Sequence, residues 1–196
     1  MGKSANILSM PSSYMGNVPL IVRTMARLEP RRMLDVGPGY GKYGFLFRER
    51  VDDFRWERVL HGVDVFADYL ERSRMSGLYD RLFIGHFLEV EIVELYDLVL
   101  MVDVLEHFSD SEGERALEKA LSLAPRVLVS TPLSYEQGPM YGNRHEAHLS
   151  EWPAARLDQF ARRRGAAWET LPGGTRDSVI GILSRDDGST SEESAP

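Results

Sequence analysis

Three glycines at alternate positions behind an acid, Asp35-Val36-Gly37-Pro38-Gly39-Tyr40-Gly41, are the part of this chain best suited to hold a ligand against the backbone. Glycine lets the chain turn tightly and lets a ligand approach the main chain, and a helix starting after such a turn offers unpaired N–H groups at its N-terminus. A second acid, Asp64, followed by Val65, lies about 20 residues further on, the spacing at which a carboxylate meets a ribose in nucleotide-binding α/β folds. Its two oxygens can accept hydrogen bonds from both ribose hydroxyls. Read singly, the glycines could serve only to close a corner, and Asp64 only to cap a helix starting near Ala67. Together they favour a ribose-bearing ligand.

These residues need strand ends and helix starts to bring them together, and the hydrophobic pattern supplies both. NVPLIVRTMARL (17–28) has helical spacing and is ended by Pro30, and RMLDVG (32–37) is a short apolar strand running into the glycines. A helix over 41–50 follows, with Tyr43, Phe47 and Arg50 on one side and Phe45 and Leu46 adding apolar bulk. The alternation then repeats: strand 59–65, helix 67–74, strand 81–85, a short helix or irregular crossover over 87–95, strand 96–104, helix 110–124 and strand 126–132. A helix over roughly 151–164 leads into AWETLPG and SVIGILSR, two strands joined through Gly173 and Gly174 as an antiparallel hairpin at a sheet edge. Strands alternating with helices of this length predict a doubly wound, mostly parallel α/β sheet covered on both faces. Ligands then bind at the carboxyl ends of the strands.

The chain of 196 residues is long enough for one domain, and 43% hydrophobic with 27% charged residues predicts a packed body. Residues 1–29 read as a lead-in loop and helix, 30–185 as the main domain and 186–196 as a disordered acidic tail. With no cysteine, disulfides, thiolate catalysis and cysteine-bound metals are excluded, and a reducing compartment fits. No apolar run approaches a spanning length and the N-terminus lacks a secretory core, so the expectation is a cytoplasmic protein with no membrane partner. A net charge of -7 argues against a nucleic-acid partner. The basic clusters Arg31-Arg32 and Arg162 to Arg164 read as solvated faces.

In a dinucleotide turn the third glycine falls one position later, whereas here position 42 is lysine and the pattern is G-x-G-x-G behind an acid. The segment from Asp35 to Gly41 resembles the first motif of the class I S-adenosylmethionine-dependent methyltransferases. Asp64 matches the acid of their second motif, and YDLVLMVDVLEHF (96–108) looks like their fourth. The resemblance implies a Rossmann-like sheet of seven strands with the last antiparallel, and S-adenosyl-L-methionine as cofactor. It places Asp35, Gly37, Gly39, Tyr40, Gly41, Asp64 and Val65 at the cofactor. It also places Asp103 and Val104 there, with Leu105, Glu106 and His107 beside the methionine portion. Where the family often has Gly-Asp-aromatic after its third strand, this chain has Gly85-His86-Phe87, so Phe87 is expected to pack on the adenine face or to supply a backbone N–H, and His86 stands where an acid would bind the adenine amino group. The D/N-P-P-Y/F motif of enzymes that methylate nucleic-acid bases is missing.

Residues 132–152, PLSYEQGPMYGNRHEAHLSEW, form a loop too long and too rich in polar and aromatic groups for a linker. Tyr135, Gln137, Tyr141, Asn143, His145, Glu146, His148 and Trp152 are its chemistry-bearing residues. His148, Glu146 or His107 could accept a proton from an acceptor, as imidazoles titrate near neutral pH and a carboxylate can orient them. The bland alternatives are that His107 packs a strand end, that Glu146 and His148 tie the loop together, and that Trp152 is core. His145, Glu146 and His148 invite a metal, but three candidates on one irregular segment do not make a ligand set, and none is expected.

The expected reaction is direct in-line displacement, moving a methyl group to O or N of a small-molecule acceptor, sugar-like compounds among the candidates. Two other classes compete. A non-catalytic cofactor-binding regulator or scaffold would keep the fold without the chemistry, and a nicotinamide-dependent oxidoreductase would need the other glycine spacing.

Overall fold

The computed structural model describes residues 14–69, 77–133, 136–140 and 142–185. Seven strands form one sheet: β1 (Arg32–Val36), β2 (Val59–Asp64), β3 (Arg81–Ile84), β4 (Leu98–Val102), β5 (Arg126–Pro132), β6 (Ala166–Thr170) and β7 (Ser178–Arg185). Their order is β3-β2-β1-β4-β5-β7-β6, with β1 to β5 parallel and β7 antiparallel to both of its neighbours. This is the doubly wound, mostly parallel sheet with an antiparallel last strand that the alternating pattern predicts.

Side chains alternate across each strand, and the two sets enter different cores. Leu34, Val36, Val63, Val99, Met101, Val127 and Val129 pack with Ala116, Leu117, Leu157 and Phe160 of α3 (Asp110–Leu123) and α4 (Ala154–Arg163). Met33, Leu60, Leu98, Leu100 and Leu128 pack on the other face with Ile21, Met25, Tyr43 and Phe47 of α1 (Val18–Leu28) and α2 (Lys42–Arg50). A strand buried on both faces has to be apolar throughout, and β4 (LVLMV) is buried at every position.

Local chemistry sets the helix ends. Pro19 in the first turn of α1 has no N–H to waste, and Glu29 closes that helix in the left-handed region at φ 44 ahead of Pro30. At α3 the cap is Ser109, one residue before the acidic start, and the Glu112 carboxylate returns to the Ser109 N–H at 3.2 Å to complete a capping box.

Of the two readings for residues 87–95, short helix or irregular crossover, the structure has the irregular crossover, tied in by Lys119, whose ammonium donates to the Phe87 and Val90 carbonyls at 2.6 Å. The expected antiparallel hairpin stands at the sheet edge, with β6 outermost. β7, with Val179, Ile180, Ile182 and Leu183 buried, lies between β5 and the more exposed β6, because the more apolar strand takes the position covered on both faces. On α2, Phe45 is exposed and Arg48 is buried in its stead, paired at 2.8 Å with both Asp52 and Asp80. The helix expected over 67–74 starts at Ala67, but its later residues lie outside the described residues, as do the tail 186–196 and the loop residues Tyr135 and Tyr141. No helix among the described residues is long and apolar enough to cross a membrane.

Candidate active site

The strand order reverses between β1 and β4, so the turns leaving these strands diverge and open a crevice at their carboxyl ends. A cavity of about 1060 Å³ lies there. Its wall brings together Asp35, Gly37, Gly39 and Tyr40 after β1, Asp64 and Val65 after β2, and His86 and Phe87 after β3. Asp103, Val104, Glu106 and His107 after β4, and Glu146 and His148 from the long loop, complete it. Gly41 is outside this wall: at φ 80 it is the N-cap of α2 and borders a shallow depression beside Phe45 and Leu46.

The glycine turn is held from both sides. Gly37 has φ 68, and a Cβ placed on it would come within 2.4 Å of Val104 Cγ2, so the turns after β1 and β4 can lie this close only with glycine there. The Asp64 carboxylate accepts from the Gly39 N–H at 3.2 Å and from the Phe66 N–H at 2.8 Å, fastening the turns after β1 and β2 together. Burial, only partly offset by these two N–H groups, raises its pKa to about 6. Asp35 is buried beneath the turn and accepts from the Tyr79 hydroxyl at 2.6 Å; burial outweighs that bond and raises its pKa to about 7. The Nδ1 of His86 is buried without a hydrogen-bond partner among the described residues, although its ring lies 5.4 Å from that of Phe108.

At the other end of the cavity, Asp103 has φ 52, a left-handed conformation that is strained for a side chain larger than glycine. It receives the Ser130 hydroxyl at 2.9 Å. Leu105–His107 form a single 3-10 turn that directs Glu106 inward, where its carboxylate accepts from Thr131 Oγ1 at 3.1 Å. Burial pushes the Glu106 carboxyl well above the usual range, and the Asp103 charge pushes it the same way. Burial likewise lowers the His107 pKa, leaving a neutral imidazole.

The long loop is laced onto this turn. His107 Nδ1 lies 3.1 Å from the Ala147 carbonyl, and the Glu106 carbonyl accepts from Leu149 N at 2.8 Å and Ser150 N at 3.2 Å. His148 N donates to the Gln137 carbonyl at 2.9 Å, and the rings of His107 and His148 come to 5.0 Å. Glu146 is engaged elsewhere: its carboxylate accepts from Tyr69 Oη at 2.7 Å and Asn143 Nδ2 at 3.2 Å. The carboxylate that joins the two imidazoles is therefore Glu106, not Glu146. His145 faces His86 at 6.3 Å between ring centres, away from that group. Trp152 is core, fully buried, with its indole N–H on Ser150 Oγ at 2.7 Å and Arg156 stacked at 3.6 Å.

Residues that the sequence did not single out also line the cavity, among them Tyr14, Lys42, Tyr69 and Ser178. Burial lowers the Lys42 pKa while the Asp103 charge opposes the shift. Lys42 had a signal, standing where a dinucleotide turn has its third glycine. Tyr14 and Ser178 had none, since only the sheet brings them to the same end.

No protein-family model matches the sequence, and no curated protein matches it. Solved structures do match its fold. DhpI in complex with SAH superposes with a TM-score of 0.67 at 13% identity, over 86% of this chain and 83% of that one. Magnesium protoporphyrin IX methyltransferase (ChlM) from Synechocystis PCC 6803 with bound SAH gives 0.64 at 17% identity, over 86% and 82%. An O-methyltransferase family protein from Burkholderia thailandensis gives 0.63 at 15% identity; 86% of this chain matches, spanning only 56% of that one. The sheet that carries the site thus has the Rossmann-like fold of these structures.

Proposed function

We propose that this chain is an S-adenosylmethionine-dependent methyltransferase that moves a methyl group to O or N of a small-molecule acceptor by direct in-line displacement. The observation that carries the reading is that one cavity of about 1060 Å³ holds the glycine turn with Asp64 at one end and Glu106, His107 and His148 at the other. That is room for a nucleoside cofactor and a small acceptor together.

The residues present fit the cofactor. Asp64 keeps a lone pair on each oxygen for the ribose hydroxyls. The unpartnered Nδ1 of His86 is a polar group waiting for an adenine nitrogen, with Phe87 beside it. Asp35 and Asp103 give the cavity wall two carboxyl groups that could meet the cofactor's ammonium and sulfonium. When bound, the cofactor supplies an electrophilic methyl group on a sulfonium. The protein's own residues orient the acceptor, exclude water and take a proton, for which the neutral imidazole of His107 is suited, with His148 and Glu146 as the other candidates. The catalytic unit is centred on residues 30–185, with α1 covering one face of the sheet and Tyr14 reaching the cavity wall from the segment before it. The net charge of -7 supports a small acceptor over a polyanion.

Titration calorimetry with S-adenosylmethionine and with NAD, followed by mass spectrometry of pooled metabolites for the gain of one methyl group, tests this. Binding of NAD without S-adenosylmethionine would overturn it, and cofactor binding with no methylated product from any pool would favour the regulatory reading.

A further inference from the structure

We propose that Glu106, His107 and His148 bind one divalent transition-metal cation at the acceptor end of the cavity, with oxygen atoms of the acceptor completing its coordination. This is a different set from the contiguous His145, Glu146 and His148. Two of its members come from the 3-10 turn after β4 and the third from the loop folded over that turn.

One ligand atom from each of the three residues lies within 4.8 Å of the others. Ligands about 2.1 Å from a common ion stand about 3.4 Å apart in a tetrahedral site, so side-chain rotations of about an ångström close the set. Two imidazoles and one carboxylate suit zinc, manganese, iron or cobalt better than magnesium or calcium, which prefer oxygen throughout.

The surroundings are built for ligation. A carbonyl only accepts, so His107 Nδ1, facing the Ala147 carbonyl at 3.1 Å, carries the ring proton and Nε2 keeps its lone pair. An imidazole ligand whose other nitrogen is fixed on a carbonyl is the usual arrangement at metal sites. His148 is placed by its own N–H on Gln137 and by the Leu149 and Ser150 N–H groups on Glu106, so main-chain bonds on both sides bring it to the turn. Glu106 is 2% exposed, and a carboxylate this deep is costly to hold unless a cation meets it.

Three protein ligands leave positions open, and these face the same cavity as the cofactor residues. A cation there would take the place of the two imidazoles as the group that eases loss of the acceptor's proton, would orient a hydroxyl or carboxylate oxygen of the acceptor toward the methyl group and would favour O-methylation. That role rests on the methyltransferase reading; the cation site itself does not.

The test is titration of the metal-free chain with Co²⁺, read by calorimetry and by visible ligand-field absorption, with S-adenosylhomocysteine titrated in parallel. One Co²⁺ per chain is expected, and His148→Ala and His107→Gln should each weaken it by roughly tenfold or more. His148→Ala alters a loop side chain, and its unfolding midpoint reports whether the fold survives. No Co²⁺ binding by the parent chain, or unchanged binding by a folded His148→Ala, would overturn the site. A chain that takes Co²⁺ but no S-adenosylhomocysteine would sink the cofactor reading and leave the cation site standing. The reverse would sink only the cation site.

Discussion

Replacing Asp64 by asparagine separates ligand binding from folding at the point where the two are most entangled. The carboxylate is 7% exposed and accepts two main-chain N–H groups, one per oxygen, from Gly39 and Phe66. An amide has one accepting oxygen, so whichever way the new side chain turns, its NH₂ faces one of these N–H groups. That orphaned donor costs about 1–3 kcal/mol. Against it stands the relief of a buried charge: a carboxyl moved from 3.8 to about 6 costs the ligand-free fold about 3 kcal/mol at neutral pH. The two nearly cancel, and the ligand-free variant should unfold close to the parent. Binding has no such compensation. The ribose loses one charge-assisted acceptor, worth about 1.5–3 kcal/mol, and affinity should fall about 10- to 150-fold. Calorimetric titration with S-adenosylhomocysteine well above pH 6, beside urea unfolding of both ligand-free proteins, reads both quantities. Parental affinity in the variant would refute the ribose assignment, and a collapse in stability matching the lost affinity would refute the reasoning about cancellation.

The two raised carboxyls, Asp64 at about 6 and Asp35 at about 7, predict opposite pH trends for folding and for binding. A folded-state pKa above the unfolded one means that stability from these groups is greatest in acid and declines as pH rises through 3.8 toward 7, whereas cofactor binding needs the carboxylates and strengthens over the upper part of that span. Proton release on binding S-adenosylmethionine near pH 6, measured by calorimetry in buffers of different ionisation enthalpy, checks this; proton uptake would contradict it. Gly37→Ala puts a methyl group 2.4 Å from Val104 at φ 68, so affinity and stability should both drop; adding Val104→Ala should recover only part, since the strain of about 1–2 kcal/mol at positive φ persists. Full recovery would show that the clash alone mattered. Arg48→Met strands Asp52 and Asp80, and urea unfolding should show a loss of about 3–5 kcal/mol; a loss below about 1 kcal/mol would mean that the pair contributes only as a surface bridge does.

The buried strands were readable because strand burial on two faces demands continuous apolar residues, and β5 and β7 occupy the expected residues 126–132 and 178–185. Helix faces were less so. Phe45, expected to add apolar bulk, is exposed, whereas Arg48 is buried, because Asp80, far away in sequence, and Asp52 make a buried guanidinium tolerable, and no periodicity records such partners. Trp152 illustrates the same limit in the loop, where an aromatic ring could equally stack on a ligand or fill a core.

Local sequence determined whatever depends on neighbouring residues: the glycine turn at 37–41, the strand ends that carry Asp64 and Asp103, and the alternation that sets a parallel sheet. Which residues meet across the crevice was decided by tertiary structure. Glu146 lies two residues from His148 yet bonds to Tyr69 and Asn143, while Glu106, 42 residues away from His148, joins it because the loop's N–H groups close on the Glu106 carbonyl. An irregular segment has no internal ladder to satisfy its backbone, so its hydrogen bonds go to whatever the sheet places beside it. Those bonds, rather than sequence spacing, choose the carboxylate that accompanies the imidazoles.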